Sequence, residues 1–382
     1  MLFFCIEPDI FAKFKVTTTI YAVANLVIFL FFIIKMKSNK YKISNLLYLW
    51  IIYRIYLLFM MVINSNYSDL DKWGYLSLMV SNLIFVFEYS IKKNNIYNML
   101  SAGVWLNIIY LLVNLISLYY FSHGIIPSKN LYSNGDGDFY FLGIKIKYTV
   151  YIFAAVALTW TYYKKYDKKK EMMLVTILSI WTIFKANIST AIVCMIFLIV
   201  IYMVMKKKII SVNLKGIILI TILVNVAIIG FNAQNLFSGF IENYLHKSVT
   251  LTGRTDIWKG AISVLKSENI LILIFGNGIF NDGSFVPFGG TYWPAHNQWL
   301  QNIYELGIIG TMGFCFFISF CDKNKENRTN LNKFILCVCA TILFGTVTNT
   351  FFSNAPIYIP FIILNYIHFF NKETNYEKSI EK

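Results

Sequence analysis

Two short stretches late in the sequence combine residue types that can act on a phosphorylated substrate. The first begins Gly253-Arg254 and continues as an amphipathic stretch to Ser267. Trp258 lies on its apolar face, and Thr255 is the predicted N-cap. An arginine beside the free N–H groups of a helix N-terminus suits an anionic group such as a phosphate. The alternative is an interfacial helix whose Arg254 reaches lipid headgroups.

The second stretch contains His296-Asn297 at the predicted start of a helix. A histidine there could act as a general base or as a phosphate-binding cation. The alternative is a polar cap at the membrane interface. Asn297, Gln301 and Glu305 follow one another every four residues and form one polar stripe. A polar stripe that enters a membrane helix should face protein or water instead of lipid.

Glycines cluster at two further places in this part of the chain. Phe275-Gly276-Asn277-Gly278 predicts a tight turn, because it is too short for a nucleotide-binding fingerprint and follows no predicted strand. Gly307, Gly310 and Gly313 are spaced for close packing between helices. The sequence shows no sign of discontinuous helices.

Two cations occur within or close to apolar runs. Arg54 lies midway along the second run, where a charge costs roughly 2.5–3.5 kcal/mol on insertion scales, so it should face a cavity or a partner. Lys185 lies near the turn between the sixth and seventh runs. Its ammonium could reach the membrane interface, or it could bind a substrate.

The composition indicates a membrane protein. Of the 382 residues, 57% are hydrophobic and 14% are charged, which is more apolar surface than a soluble domain can bury. The hydrophobic residues form repeated runs of roughly 17–25 residues, the length needed to cross about 30 Å of hydrocarbon. The net charge of +15 comes largely from short basic clusters between these runs, a pattern typical of cytoplasmic loops and not of nucleic-acid binding.

The alternation of apolar runs and basic clusters predicts an all-α polytopic membrane protein with about eleven transmembrane helices and its N-terminus outside. We expect N-terminal transmembrane helices over residues 1–231, a large extracytoplasmic catalytic loop with an amphipathic helix over 232–301, and C-terminal transmembrane helices with a cytoplasmic tail over 302–382. The predicted spans are 17–34, 43–63, 73–90, 96–121, 144–163, 172–186, 189–205, 214–231, 302–320, 334–353 and 356–370.

A set of motifs, in this order and spacing, resembles the signature of the O-antigen ligase and polymerase family of Wzy-type polysaccharide polymerases. The motifs are Gly253-Arg254, Trp258, Phe275-Gly276-Asn277-Gly278, His296-Asn297, Leu300 and Glu305-Leu306-Gly307-Ile308-Ile309-Gly310. The resemblance implies a fold similar to the GT-C class of membrane glycosyltransferases. It also implies metal-independent, cofactor-free transfer of a glycan from undecaprenyl diphosphate to a sugar hydroxyl outside the cytoplasmic membrane.

The resemblance also implies roles for individual residues. Arg254 matches the arginine expected to hold the donor diphosphate, and His296 matches the histidine expected to activate the acceptor hydroxyl or contact the phosphates. The family often has Ser-Arg before the span that corresponds to the seventh. Here the turn reads Lys185-Ala186-Asn187-Ile188-Ser189-Thr190, so that Lys185 could supply the charge but not the bidentate fork of an arginine.

We further expect Arg54, Trp258, Asn297 and Glu305, together with Lys185, to contribute to substrate binding. The expected partners are undecaprenyl-diphosphate-linked oligosaccharides, the lipid bilayer, a chain-length regulator and a flippase, and nucleic acid is not among them. Three functions remain open at this point. The first is polymerisation of lipid-linked repeat units into a capsule or O-antigen, the second is ligation of finished polysaccharide to a lipid or protein, and the third is non-catalytic transport of a lipid-linked glycan.

Overall fold

The computed structural model of the chain describes residues 1–38, 42–127, 137–209, 212–243, 253–279, 283–323 and 328–371. Within these ranges the fold is a bundle of helices with one small antiparallel hairpin, β1 (Val286–Phe288) and β2 (Thr291–Trp293). The helices are α1 (Leu2–Cys5), α2 (Lys15–Ser38), α3 (Asn45–Ile63), α4 (Leu70–Lys92), α5 (Ile96–Tyr120), α6 (Tyr148–Tyr166), α7 (Lys169–Ala186), α8 (Ser189–Lys206), α9 (Leu214–Phe231), α10 (Ser238–Asn243), α11 (Arg254–Ser267), α12 (Ile270–Phe275), α13 (Gln298–Phe320), α14 (Asn330–Gly345), α15 (Ile359–Asn365) and α16 (Ile367–Phe370).

The described helices confirm an all-α polytopic membrane protein. Seven of them, α2, α3, α4, α5, α8, α9 and α13, are long and apolar enough to cross a membrane. Helices α6 and α7 have 19 and 18 residues and coincide with the fifth and sixth predicted spans. The last two predicted spans correspond to shorter apolar helices, Asn330–Gly345 and Ala355–Asn365. Each predicted span therefore has a helical counterpart, but four of the eleven are less apolar or shorter than the other seven.

The last two spans differ from the prediction in a way that matters for the site. The tenth was expected over 334–353, but α14 ends at Gly345 and the next residues leave the helix. The eleventh was expected to be continuous, but it is divided into a 3₁₀ turn (Ala355–Tyr358), α15 and α16. Pro356 and Pro360 lie at the starts of the first two pieces, where the missing proline N–H costs little.

The bundle has a buried centre and an apolar outer surface. Helix α6 packs against α5, α7, α14 and α15, and its Ala154, Ala155 and Ala157 are fully buried, which lets these neighbours approach closely. By contrast, α8 and α9 are mostly apolar yet little buried, with exposed side chains such as Ile199 and Leu223. Exposed apolar surface of this kind is what a lipid environment solvates.

The long segment before α13 has its own small core. Ile257, Trp258, Ala261 and Leu265 on one face of α11 are buried against residues of the hairpin and of the first turns of α13. The ring of Phe285 stacks on Tyr304 of α13 with centroids 3.9 Å apart. The amphipathic pattern of α11 therefore buries its apolar face against protein, and the segment is joined to the bundle through α13.

Helix α13 is discontinuous, contrary to the prediction that the spans are unbroken. Gly307 interrupts it with φ +64° and ψ −175°, a conformation that is accessible essentially to glycine alone. A Cβ at Gly307 would overlap the backbone of Ile274 and Gly276, so the predicted role of this glycine in helix packing was incomplete. Gly310 does serve close packing, because a Cβ there would lie 2.5 Å from Cε1 of Tyr56, whereas Gly313 has open space beside it.

The break in α13 is filled by the predicted turn after α12. The N–H groups of Asn277 and Gly278 donate to the carbonyl oxygens of Tyr304 and Glu305, each at 2.9 Å. These carbonyls would otherwise accept from the next turn of α13, which the break moves away. Tyr56 Oη lies 2.7 Å from the carbonyl oxygen of Phe275 and 3.1 Å from that of Leu306, so that its one proton joins α3 to this break. The chain's own groups thus satisfy the backbone that the break exposes.

Candidate functional site

His296 is held in an unusual backbone conformation immediately before α13. Its φ of +47° lies in the left-handed region that few residues other than glycine adopt. Both neighbours are fixed, since the N–H of Ala295 donates to Oε1 of Gln301 at 3.0 Å and Asn297 is fully buried. Gln301, in turn, donates to Oε1 of Glu305 at 2.6 Å. The predicted polar stripe on α13 therefore positions the backbone on the N-terminal side of His296.

Asn297 is the N-cap of α13 and also a junction between three parts of the chain. Its Oδ1 accepts from the N–H groups of Trp299 and Leu300 at 3.0 and 3.1 Å, which satisfies two donors of the first helical turn. Its Nδ2 donates to Oδ1 of Asn225 in α9 at 2.6 Å and to the carbonyl oxygen of Val347 at 2.7 Å. The contacts of Asn297 are thus with the protein itself.

Arg254 is the first residue of α11, with Gly253 as N-cap in a left-handed conformation (φ +81°). The prediction of Thr255 as N-cap was wrong by two residues, because Gly253 can reverse the chain without a side-chain cap. The guanidinium Nη2 of Arg254 donates to Oδ1 of Asn349 at 3.3 Å. This bond brings the start of α11 beside the segment that follows α14.

Arg254 and His296 are close enough for the charge of one to affect the other. Burial and then the positive charge of Arg254 lower the pKa of His296 to about 4. The imidazole is therefore neutral near pH 7 and can accept a proton, whereas the guanidinium keeps its charge. A fixed cation beside a neutral base can neutralise an anionic leaving group and take a proton from a hydroxyl group.

A third element of this region was missed by the sequence analysis. The residues after α14, Thr346–Phe352, which we call the 346–352 segment, lie against the first turn of α13. The N–H of Gln298 donates to the carbonyl oxygen of Thr346 at 3.0 Å, and the N–H of Phe352 donates to Oε1 of Gln298 at 3.1 Å. A signal was present, because Thr346, Thr348, Asn349 and Thr350 are unusually polar for a predicted span.

Arg54 and Glu305 form a second polar region. Arg54 is buried and donates from Nε to Ser77 Oγ at 2.7 Å and from Nη2 to the carbonyl oxygen of Trp73 at 2.8 Å. Its guanidinium lies 5.4 Å from the ring centre of Trp50 in the preceding turn of α3. Arg54 and Glu305 attract each other electrostatically. The cost of the charge of Arg54 is thus offset by its two hydrogen bonds to α4.

The two remaining predicted site residues, Lys185 and Trp258, contact other parts of the protein. The ammonium of Lys185 lies 4.1 Å from the ring centre of Tyr119, and its side chain is exposed at the end of α7. Trp258 is 2% exposed and belongs to the core beneath α11, where it also lines a cavity of about 60 Å³ beside Ile228 and Thr255. The structure thus brings Arg254, His296 and Asn297 together through the 346–352 segment, and places Lys185 on Tyr119 and Trp258 in a core.

Comparison with known families supplies an independent line of evidence. Residues 174–315 match the family model described as O-antigen ligase. The matched range runs from α7 into α13, so that it includes Arg254 and His296 but ends before the 346–352 segment. Searches among curated proteins and among solved structures found no match.

The matched range contains the motifs on which the resemblance depends, from Gly253-Arg254 to Gly310. It supports a function of the O-antigen ligase or polymerase type in polysaccharide assembly. Residues 174–315 of this membrane protein are therefore similar to the O-antigen ligase family, as the sequence motifs predict.

Proposed function

We propose that the protein polymerises oligosaccharide repeat units that are linked to undecaprenyl diphosphate, by metal-independent glycosyl transfer on the outer face of the cytoplasmic membrane. The proposal is carried by one observation: the 346–352 segment brings together Arg254, which donates to Asn349, and the residue that follows His296, since Asn297 donates to Val347. A lipid diphosphate and a sugar hydroxyl are the substrates that this pair of groups would suit.

The proposed step forms one bond and breaks another at the anomeric carbon of the donor glycan. The acceptor hydroxyl oxygen attacks this carbon while its proton passes to the neutral imidazole of His296. The bond between the anomeric carbon and the diphosphate oxygen breaks, and its electron pair leaves with the diphosphate. Arg254 stabilises the charge that develops on this leaving group. The imidazolium then releases its proton to water, which restores the base.

The placement of basic residues supports the proposed location. Lysines lie in the last turns of α2, α6 and α8 or just beyond them, in the runs 35–37, 164–170 and 206–208. Helix α9 is the next candidate membrane span, and α11 follows it in the chain. We therefore expect α11 at the opposite end of α9 from these lysines. Because basic clusters favour the cytoplasmic side, Arg254 and His296 would lie on the outer side.

Transport of a lipid-linked glycan is the second candidate, because the break in α13 is a feature that transporters often have. In transporters the unwound backbone commonly coordinates a substrate or ion. Here the carbonyl oxygens of Tyr304 and Glu305 accept hydrogen bonds from the N–H groups of Asn277 and Gly278. The backbone at the break is therefore occupied by other groups of the protein. This favours glycosyl transfer over glycan transport as the function.

The proposal is tested with the purified protein in liposomes that contain a lipid-linked oligosaccharide. We expect a ladder of longer products that is unaffected by excess EDTA. Arg254→Ala and His296→Ala should each slow chain growth by roughly 10²–10⁴-fold, as expected for loss of charge stabilisation or of a general base. Lys266→Ala is the matched control, because Lys266 is an exposed cation in the last turn of the same helix.

Three results separate the alternatives. Transfer of finished polymer to an added lipid or protein acceptor, without a ladder, would identify a ligase. Movement of the lipid-linked glycan across the liposome membrane, without a new glycosidic bond, would identify a transporter. Chain growth that is unchanged in both Arg254→Ala and His296→Ala would contradict the proposed mechanism.

A further inference from the structure

We infer that the 346–352 segment, which lies outside the matched family domain, completes the active site, and that Asn349 is a positioning residue that orients Arg254 toward the donor diphosphate. This inference rests on the proposed function of Arg254. It concerns a part of the chain that the family match does not reach, since that match ends at residue 315.

The 346–352 segment is fixed to the start of α13 at both of its ends. Near its beginning, Thr346 and Val347 receive three hydrogen bonds, from the N–H of Gln298 (3.0 Å), Trp299 Nε1 (3.1 Å) and Asn297 Nδ2 (2.7 Å). At its end, the N–H of Phe352 donates to Gln298 Oε1 at 3.1 Å. Asn349 lies between these anchors, so that its position relative to His296-Asn297 is set by four bonds.

Two aromatic side chains hold the same segment in the core. Phe351 and Phe352 are 2% and 5% exposed. The ring of Phe351 lies so close to Gly345 that a Cβ there would be 2.6 Å from Cε2 of the ring. Phe352 packs edge-on against Phe314 of α13, with ring centroids 4.8 Å apart. The polar residues of the segment are therefore held in place by the buried rings that follow them.

The side chain of Asn349 is suited to orienting an arginine without cancelling its charge. It is 2% exposed, and its Nδ2 donates to Thr348 Oγ1 at 3.3 Å while its Oδ1 accepts from Arg254 Nη2. A neutral amide oxygen can hold one nitrogen of the guanidinium without adding a negative charge beside it. A carboxylate in the same place would form an ion pair with Arg254 and compete with the diphosphate.

The test measures how strongly the full-length protein in detergent prefers farnesyl diphosphate to farnesol, two probes that share the prenyl chain. We expect the ratio of the two affinities to fall about tenfold or more in the isosteric Asn349→Asp variant, which is the effect of roughly 1.4 kcal/mol on diphosphate binding alone. In Asn349→Ala we expect a smaller fall, to about a third. The matched control is Ser353→Ala, because Ser353 is exposed just beyond the segment.

The outcomes distinguish this inference from the proposed function. A role that is only structural would weaken binding of both probes or lower thermal stability, and would leave their ratio unchanged. Ratios within twofold of the unmodified protein in both Asn349 variants, with a large fall in Arg254→Ala, would overturn the role of Asn349 alone. A normal ratio in Arg254→Ala would overturn the proposed function of Arg254 itself.

Discussion

At the residue scale, the backbone conformation of His296 is imposed by its two neighbours. A left-handed φ at a residue other than glycine costs free energy and persists where the surroundings enforce it. Gln301 holds the N–H of Ala295 on one side, and Asn297 is locked to Asn225 and Val347 on the other. The first turn of α13 and its neighbours thus hold the backbone of His296 in a conformation that costs free energy.

The lowered pKa of His296 predicts how activity depends on pH. Because burial and Arg254 disfavour the imidazolium, the neutral base persists as the pH falls and is lost only near the pKa of about 4. The ratio kcat/KM should therefore be flat from about pH 8 down to about pH 5.5. An ordinary histidine, with a pKa of about 6.5, would lose about nine-tenths of its base form over this range. Initial rates of chain growth at low donor concentration measure the profile.

Binding of the donor should shift the pKa of His296 in the opposite direction. A diphosphate beside His296 stabilises the imidazolium, so that kcat at saturating donor should fall at a higher pH than kcat/KM. An acid limb of kcat/KM with its midpoint near pH 6.5 would contradict the buried position of the imidazole.

At the element scale, the break in α13 determines how the α12 turn joins the bundle. The conformation of Gly307 removes the carbonyl oxygens of Tyr304 and Glu305 from the helical ladder, and the N–H groups of Asn277 and Gly278 donate to them instead. Asn66, just after α3, donates to the carbonyl oxygen of Asn277 at 2.6 Å. Three elements therefore meet at the break in α13: the end of α3, the turn after α12, and α13 itself.

Substitution of Gly307 tests the importance of this joint. Gly307→Ala should destabilise the protein by about 1–3 kcal/mol from backbone strain alone, with a further cost from overlap with Ile274 and Gly276. Thermal unfolding in detergent measures the change. Gly313→Ala lies in the same helix with open space around it, and should leave the unfolding temperature nearly unchanged. Equal unfolding temperatures for the two variants would show that the break is not needed.

At the scale of the whole molecule, the alternation of spans and lysine clusters predicts that the two ends of the bundle differ in chemistry. We expect the lysine clusters at one end and α11 with the candidate site at the other. The native cysteines are five buried side chains and the half-buried Cys315, so that introduced cysteines can be labelled with little background.

Labelling of intact protoplasts tests the predicted orientation. Tyr292→Cys in the exposed hairpin should react with a membrane-impermeant maleimide, because the candidate site is proposed to face outward. Lys207→Cys, after α8, should react only once the membrane is opened. The reverse pattern would place the site in the cytoplasm and contradict the proposed location.

The class of fold and the positions of most spans could be predicted from the residues alone. The limits of α9 coincide with the predicted 214–231, and α4, α5 and α8 end within three residues of their predicted ends. This succeeds because the length and hydropathy of a span are local properties, fixed by the thickness of the membrane. The Arg254 and His296 motifs were also visible, since the chemistry of a side chain is local too.

Tertiary structure alone decided which of these residues meet. The break at Gly307 and the end of α14 at Gly345 depend on hydrogen bonds with residues about 30 to 50 positions away, which hydropathy does not report. Asn349 was hidden in a predicted span for the same reason, and Trp258 was read as a binding residue although its indole is buried in a core. Which side of a helix faces a partner is set by packing between distant segments, and packing becomes visible only once the whole chain is folded.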